Sequence, residues 1–256
     1  MKFLILGDIV GKRTVELLRA NLWGIRKELK VDAVIANGEN ASESMGLSAE
    51  DAKTLLDSGV DVLTGGNHTF HQRSLYPMLD DSPYIVRPQN IPAEAPGNGY
   101  TVVDINGYRV LVLNLVGMMN MDHAGNTFEA AKIIIERNSG KFDYAIVDIH
   151  AEATAEKQAL GYYLSSKVTA VCGTHTHVQT ADERILDGGT AYITDLGMCG
   201  PSNGVLGTDK DTILRKMTTG LPQKFLVADG EIKLCGVIVT AENGKATSIE
   251  RFCKSF

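Results

Sequence analysis

The sequence has no apolar run approaching the ~18 residues that a membrane span requires, and no sustained apolar stretch with a small-residue cleavage site follows its first residues. Neither membrane insertion nor secretion is expected, and the cytoplasm is the expected location. Cysteine is sparse: Cys172, Cys199, Cys235 and Cys253 form no C-x-x-C pair, which argues against a zinc ribbon or a disulfide framework. Cys172 lies in the apolar run VTAVCG and reads as a small core residue, whereas Cys199 lies in the Gly-rich stretch LGMCGPSNG with no activating neighbour in sequence. An excess of basic residues is also lacking. The net charge is −6 with both signs interspersed, unlike a protein that neutralises many phosphates along a nucleic acid. No repeat, low-complexity tract or Pro/Ser-rich linker divides the 256 residues, and an apolar content of 44% suffices for one large core. A single domain over residues 1–256 is expected.

The start of the chain, GDIVGKRT, invites a phosphate-loop reading that its spacing defeats. Gly7 and Gly11 enclose three residues rather than four, Arg13 follows Lys12 where a hydroxyl is needed, and Asp8 presents a negative charge to any phosphate. Asp8 therefore needs another explanation.

Hydrophobic periodicity supplies the frame. KFLIL precedes a helical pattern from Thr14 to Lys30, with Val15, Leu18, Leu22 and Ile25 on one face; DAVIA precedes a helix over Ser48 to Asp57; VDVLT is followed by another helix after His68. This alternation predicts a parallel sheet core. Asn106-Gly107, Asp229-Gly230 and Asn243-Gly244 each stand between apolar runs and predict hairpins. Strands YAIVDI, TAVCG and AYITD, with helices over Thr127 to Arg137 and Ala153 to Leu164, lie between them. The expected fold is α/β: a four-layer α/β/β/α sandwich of two mixed sheets flanked by helices.

Five apolar runs end in side chains able to bind a metal: LILGD at Asp8, AVIANGEN at Glu39 and Asn40, VLTGGNH at Asn67 and His68, AIVDIH at His150, and AVCGTHTH at His175 and His177. One Asp or Asn after a strand is most simply a helix cap or turn residue, and one strand-end His a satisfied buried histidine. All of these together point to a site beyond the carboxyl ends of the strands, where α/β proteins bind ligands. Two carboxylates, two amides and three imidazoles, without thiolate, suit iron, manganese or zinc better than calcium. Seven ligands exceed what one catalytic ion needs, so two ions ~3.5–4 Å apart are expected, with Glu39 as the shared carboxylate. Of the other histidines, His71 is expected on a helix surface, and His123 bordering the cleft.

In order, GDIV, NGENA, GGNHTF, VDIHAEAT and GTHTHVQTAD resemble the motifs of the calcineurin-type metallophosphoesterase superfamily. Val10 replaces its first His, Glu39-Asn40 its paired aspartates, and Thr174 separates Gly173 from His175. The same wording resembles the YmdB-like branch across essentially the whole chain. That resemblance implies two transition-metal ions, iron with manganese or zinc as alternatives, and hydrolysis of 2′,3′-cyclic nucleotides or RNA-derived phosphodiesters. It places Asp8, Asn40 and His177 on one ion, Asn67, His150 and His175 on the other, and Glu39 between them. A hydroxide generated at the metals is expected to attack phosphorus in line, and His68 to stabilise the transition state or protonate the leaving oxygen. The non-enzymatic alternative is a nucleotide- or RNA-responsive regulatory protein with a vestigial metal site. Met118, Met119 and Met121 suit either a cleft wall or a partner surface, and a homo-oligomer is left open.

Overall fold

The computed structural model describes residues 1–42 and 45–256. In chain order the elements are β1 (Lys2–Leu6), β2 (Asp8–Ile9), α1 (Lys12–Leu29), β3 (Ala33–Asn37), α2 (Ala49–Asp57), β4 (Val62–Thr64), α3 (Tyr76–Asp81), β5 (Ile85–Val86), β6 (Tyr100–Ile105) and β7 (Tyr108–Val116). Then follow α4 (Thr127–Arg137), β8 (Tyr144–His150), α5 (Thr154–Leu164), β9 (Ala170–Thr174), β10 (Arg184–Leu186), β11 (Thr190–Ile193), β12 (Met198–Pro201), α6 (Lys210–Thr219), β13 (Ile232–Glu242) and β14 (Lys245–Ser255). They build two mixed sheets. One runs β2-β12-β13-β1-β3-β4-β5 with β14 on the other edge of β13, and the second runs β10-β11-β9-β8-β7-β6.

The two-residue period of the strands decides the layering. Leu4 and Leu6 of β1 pack with Val15, Leu18 and Leu22 of α1 and Ala52 and Leu55 of α2. Their neighbours Phe3 and Ile5 face the other way and meet Val110 and Val112 of β7 and Ile146 of β8. Leu111, Leu113 and Leu115 of β7 pack instead with Ala131 and Ile134 of α4 and Leu160 of α5. These three apolar layers lie helix to sheet, sheet to sheet and sheet to helix, which makes the expected α/β/β/α sandwich. Among the described residues no helix is long and apolar enough to cross a membrane.

Both Asn-Gly turns are hairpins, β6–β7 and β13–β14, with each Asn and Gly at positive φ. The helices keep their expected faces, but α1 starts at Lys12, where Gly11 turns the chain at φ 80° and the Thr14 hydroxyl donates to the Val10 carbonyl. Asp229-Gly230 is not a hairpin. The edge of β13 it would have supplied is taken by β12, which pairs Cys199 with Leu234, so Cys199 is a buried strand residue rather than a loop thiol. After His68 the chain makes turns and a short 3-10 segment before the six-residue α3, because Pro77 sits in that helix's first turn. Helix α6 was not anticipated; none of its residues is buried, so no core-facing stripe betrays it.

The sheets also dictate where polar groups gather. At Gly7 the chain steps sideways, so that β1 pairs with β13 whereas β2 pairs with β12. That jog carries Asp8 to the end of the first sheet facing the ends of β8 and β9.

Candidate metal centre

Loops from the carboxyl ends of β3, β4, β8 and β9, with Asp8 at the start of β2, converge at one end of the sandwich. Asp8, Glu39 and His150 are 0–1% exposed there. Around His150 Nε2 lie Asn67 Oδ1 at 2.9 Å, His175 Nδ1 at 3.1 Å and Glu39 Oε2 at 3.2 Å. A cation with bonds of about 2.1 Å places adjacent ligand atoms ~3.0–3.4 Å apart, so these spacings suit one. Glu39, His150 and His175 form a group that can hold a metal ion. Next to it, Asp8 Oδ1 lies 3.6 Å from His150 Nδ1 and 3.9 Å from His177 Nε2. Asn40 Nδ2 donates to Glu39 Oε1 at 2.8 Å, and His68 Nδ1 lies 3.0 Å from Asn40 Oδ1 and 3.2 Å from Glu39 Oε1. Every side chain singled out in the strand-end motifs thus falls within one cluster.

Three observations fit a cation here. Asp8 Oδ1 is buried and takes no hydrogen bond among the described residues, a costly state for a carboxylate oxygen without a positive partner. A Cβ on Gly66 would overlap Glu39 Oε2 and His150 Nε2, so only glycine lets the β4 loop close over the group. Each imidazole also has an outer partner that fixes its inward nitrogen: His150 Nδ1 meets Thr174 Oγ1 at 3.0 Å, His175 Nε2 meets Glu152 Oε2 at 3.0 Å, and His177 Nδ1 meets the Leu206 carbonyl at 3.1 Å. Metal-binding histidines are commonly oriented in this way.

Burial alone would lower the His150 pKa, yet the Glu39 carboxylate beside it raises it to about 9. Burial would raise that of Glu39, but the charge and hydrogen bonds of His150 and His68 take it well below the usual carboxylate range. Burial lifts Asp8 to about 6 against the pull of His177 and His150, while burial and the His150 charge push His175 down to about 4. The buried carboxylates thus favour the protonated form of His150.

A buried scaffold holds the cluster. Asp148 of β8 accepts from Asn37 Nδ2 at 2.9 Å, from Thr174 Oγ1 at 2.7 Å and from the Thr64 hydroxyl, stitching β3 and β4 of one sheet to β8 and β9 of the other. His175 and His177 both have positive φ, 97° and 65°, which costs a non-glycine residue on the order of 1–3 kcal/mol. The turn is clamped by Asp195, whose Oδ2 accepts from Thr176 N at 3.1 Å and Thr176 Oγ1 at 2.6 Å and from Lys157 Nζ at 2.8 Å.

Asp195, Asp148, Asn37, Glu152 and Lys157 were not singled out from the sequence. AYITD ends in Asp195 as the five noted runs end in their polar residues, so that signal was present. Lys157 sits in a helical pattern like any surface lysine. His123 borders a second cavity of about 520 Å³ with Asn67 and His68, as expected, and exposed His71 lies in a turn with its ring edge-on to His68. The string GPSNG fits G-x-S-x-G, but no helix follows it directly and the Ser202 hydroxyl donates to the Glu231 carbonyl, so it is not a nucleophile elbow. Lys157 and Asp195 are 1% and 0% exposed, so Lys157→Ala should cost about 3–5 kcal/mol in urea unfolding of the metal-free protein. A cost below about 1 kcal/mol would show that the pair does not clamp the turn.

Comparison with known proteins agrees with this architecture. Residues 4–252 match the family described as YmdB-like protein. The chain is 42% identical over 253 residues to the Bacillus subtilis protein named 2′,3′-cyclic-nucleotide 2′-phosphodiesterase, covering 98% of this chain and 96% of that one. A hypothetical protein from Thermus thermophilus has a similar structure, with TM-score 0.94, 35% identity and coverage of 100% and 99% of the two chains. A structure titled as a novel phosphatase from Mycoplasma pneumoniae gives TM-score 0.93 at 33% identity, covering 100% and 93%. Motif order, sandwich topology and full-length similarity lead to one conclusion: the chain belongs to the YmdB-like family.

Proposed function

We propose that this chain is a metal-dependent phosphodiesterase that hydrolyses 2′,3′-cyclic nucleotides at a centre for two metal ions. The observation that carries the reading is the clustering of Glu39, His150 and His175 as a group able to hold an ion, with Asn67 Oδ1 2.9 Å from His150 Nε2 and a buried Asp8 Oδ1, without a hydrogen bond among the described residues, 3.9 Å from His177 Nε2. The Bacillus subtilis relative's name supplies the substrate class. Asp8, Asn40 and His177 would hold one ion, Asn67, His150 and His175 the other, and Glu39 both. Two transition-metal ions, iron with manganese or zinc as alternatives, would neutralise the phosphate and lower the pKa of water beside it.

Glu39 suits a shared position because Oε1 faces Asn40 and His68 while Oε2 faces His150. His68 follows Asn67 on the same turn but points elsewhere, and its ring lines both cavities that open on the centre. Asn40 and Glu39 hold its Nδ1, leaving Nε2 to act on substrate. A water oxygen, one of whose protons leaves to solvent and is later replaced on His68, would bond to phosphorus as the bond to the ribose 2′ oxygen breaks. That oxygen takes a proton from His68, and the product is a nucleoside 3′-phosphate.

His68→Ala should lower kcat by about 10²–10⁴ while elemental analysis still finds both ions; loss of metal would reassign His68 to holding it. Metal uptake must also expel the His150 proton. Manganese binding at pH 7–8 should release about one proton per chain, and affinity should fall about tenfold per pH unit as pH drops from 9 toward 6. Below about 6, protonation of Asp8 makes the fall steeper. Calorimetry in buffers of different ionisation enthalpy reads the proton, and an affinity indifferent to pH between 7 and 8 would contradict the assignment.

A further inference from the structure

Between β12 and β13 the chain leaves the sheet as a flap over residues 205–228, closed at its neck by short hydrogen bonds. Val205 and Thr208 exchange backbone bonds of 2.8 and 2.9 Å, Asp209 N donates to the Leu226 carbonyl at 2.9 Å, and Ala228 N donates to the Gly207 carbonyl at 2.8 Å. Asp209 caps α6 by accepting from Thr212 N, and Gly220 ends the helix at φ 69°. The helix is amphipathic, yet it buries nothing: Leu214 and Met217 are 56% and 76% exposed. Local caps and the closed neck therefore hold α6, whose own apolar side chains serve no core.

Some of those side chains face the metal centre. Leu206, Ile213, Met217, Phe225 and Val227 form one wall of a cavity of about 400 Å³, and Glu39, Asn40, His68, Glu152, His175 and His177 line the same cavity. The His177 ring is joined to the flap through the Leu206 carbonyl at 3.1 Å, and Leu206 itself has φ 52°. The cavity is thus polar where phosphate chemistry is placed and apolar beside it, a shape that suits a small ligand with one charged end.

Resting on the phosphodiesterase reading, we propose that the flap is the nucleoside subsite: the base lies against Ile213, Met217, Phe225 and Val227 while the cyclic phosphate occupies the metal centre. The wall recognises the base by its faces rather than its edges. Of the hydroxyls lining the cavity among the described residues, Ser42 donates to Asp51 at 2.6 Å and Thr176 to Asp195 at 2.6 Å, which leaves Thr208 as the remaining one of these. An apolar wall discriminates by buried area and tolerates differences in edge groups, unlike a site that reads donors and acceptors. Selectivity therefore follows base size, and a sugar cyclic phosphate lacking a base binds poorly.

The test uses the manganese-loaded full chain with three substrates: adenosine 2′,3′-cyclic phosphate, cytidine 2′,3′-cyclic phosphate and methyl riboside 2′,3′-cyclic phosphate. The expected order of kcat/KM is adenosine, cytidine, methyl riboside, with the last about tenfold or more below the first. In the double variant Met217→Ala/Phe225→Ala, with unchanged near-UV circular dichroism, that ratio should fall toward one. Equal kcat/KM for the three substrates in the wild type, or an undiminished ratio in the variant, overturns the subsite while leaving the phosphodiesterase reading intact. Turnover of none of them overturns both.

Discussion

Everything at the functional end of this molecule depends on one electrostatic problem: lone pairs from two carboxylates, two amides and three imidazoles crowd together around a buried centre of Asp8, Glu39 and His150. Asp8, Glu39 and His150 are almost fully buried, and Asp8 Oδ1 has no hydrogen bond among the described residues. Negative charge in such a place must be protonated or met by a cation. The pKa values of His150 and Asp8 are raised and that of His175 is lowered by this burial and crowding. A bound cation would relieve the same crowding, and Glu39, His150 and His175 are placed to hold one.

The fold maintains that crowding by making it difficult to relax. Asp148 ties strands of both sheets together beneath the ligands, and Asp195 with Lys157 fixes the turn that holds two histidines at positive φ. Loosening either would let the lone pairs move apart. The three apolar layers supply the rigid frame, because alternate residues of β1 and β7 commit each strand to both of its faces. The flap carrying α6 stands outside this frame and contributes surface at the cleft instead of core.

The residues that gather in the cluster were legible because strand ends are conspicuous: apolar runs stop at Asp8, at Glu39 and at His150 in polar groups that burial alone does not call for. The sandwich was legible because strands that face apolar layers on both sides are continuous apolar runs, and the Asn-Gly turns mark where antiparallel strands join them. The supporting residues were less visible. Lys157 acquires meaning only when folding places it 2.8 Å from Asp195, 38 positions away. Helix α6 escaped notice because its apolar residues answer to the cleft rather than to a core, and Asp229-Gly230 misled because the competing strand β12 comes from a Gly-rich stretch with weak strand character. Local pattern reveals what a segment prefers, whereas pairing partners are settled by the rest of the chain.

The most direct test is anomalous X-ray diffraction from crystals of the manganese- or iron-loaded protein. Two anomalous peaks ~3.5–4 Å apart are expected, with Glu39 contacting both, Asp8 and His177 on one side and His150 and His175 on the other. A single peak, or metal bound away from Glu39, would contradict this arrangement.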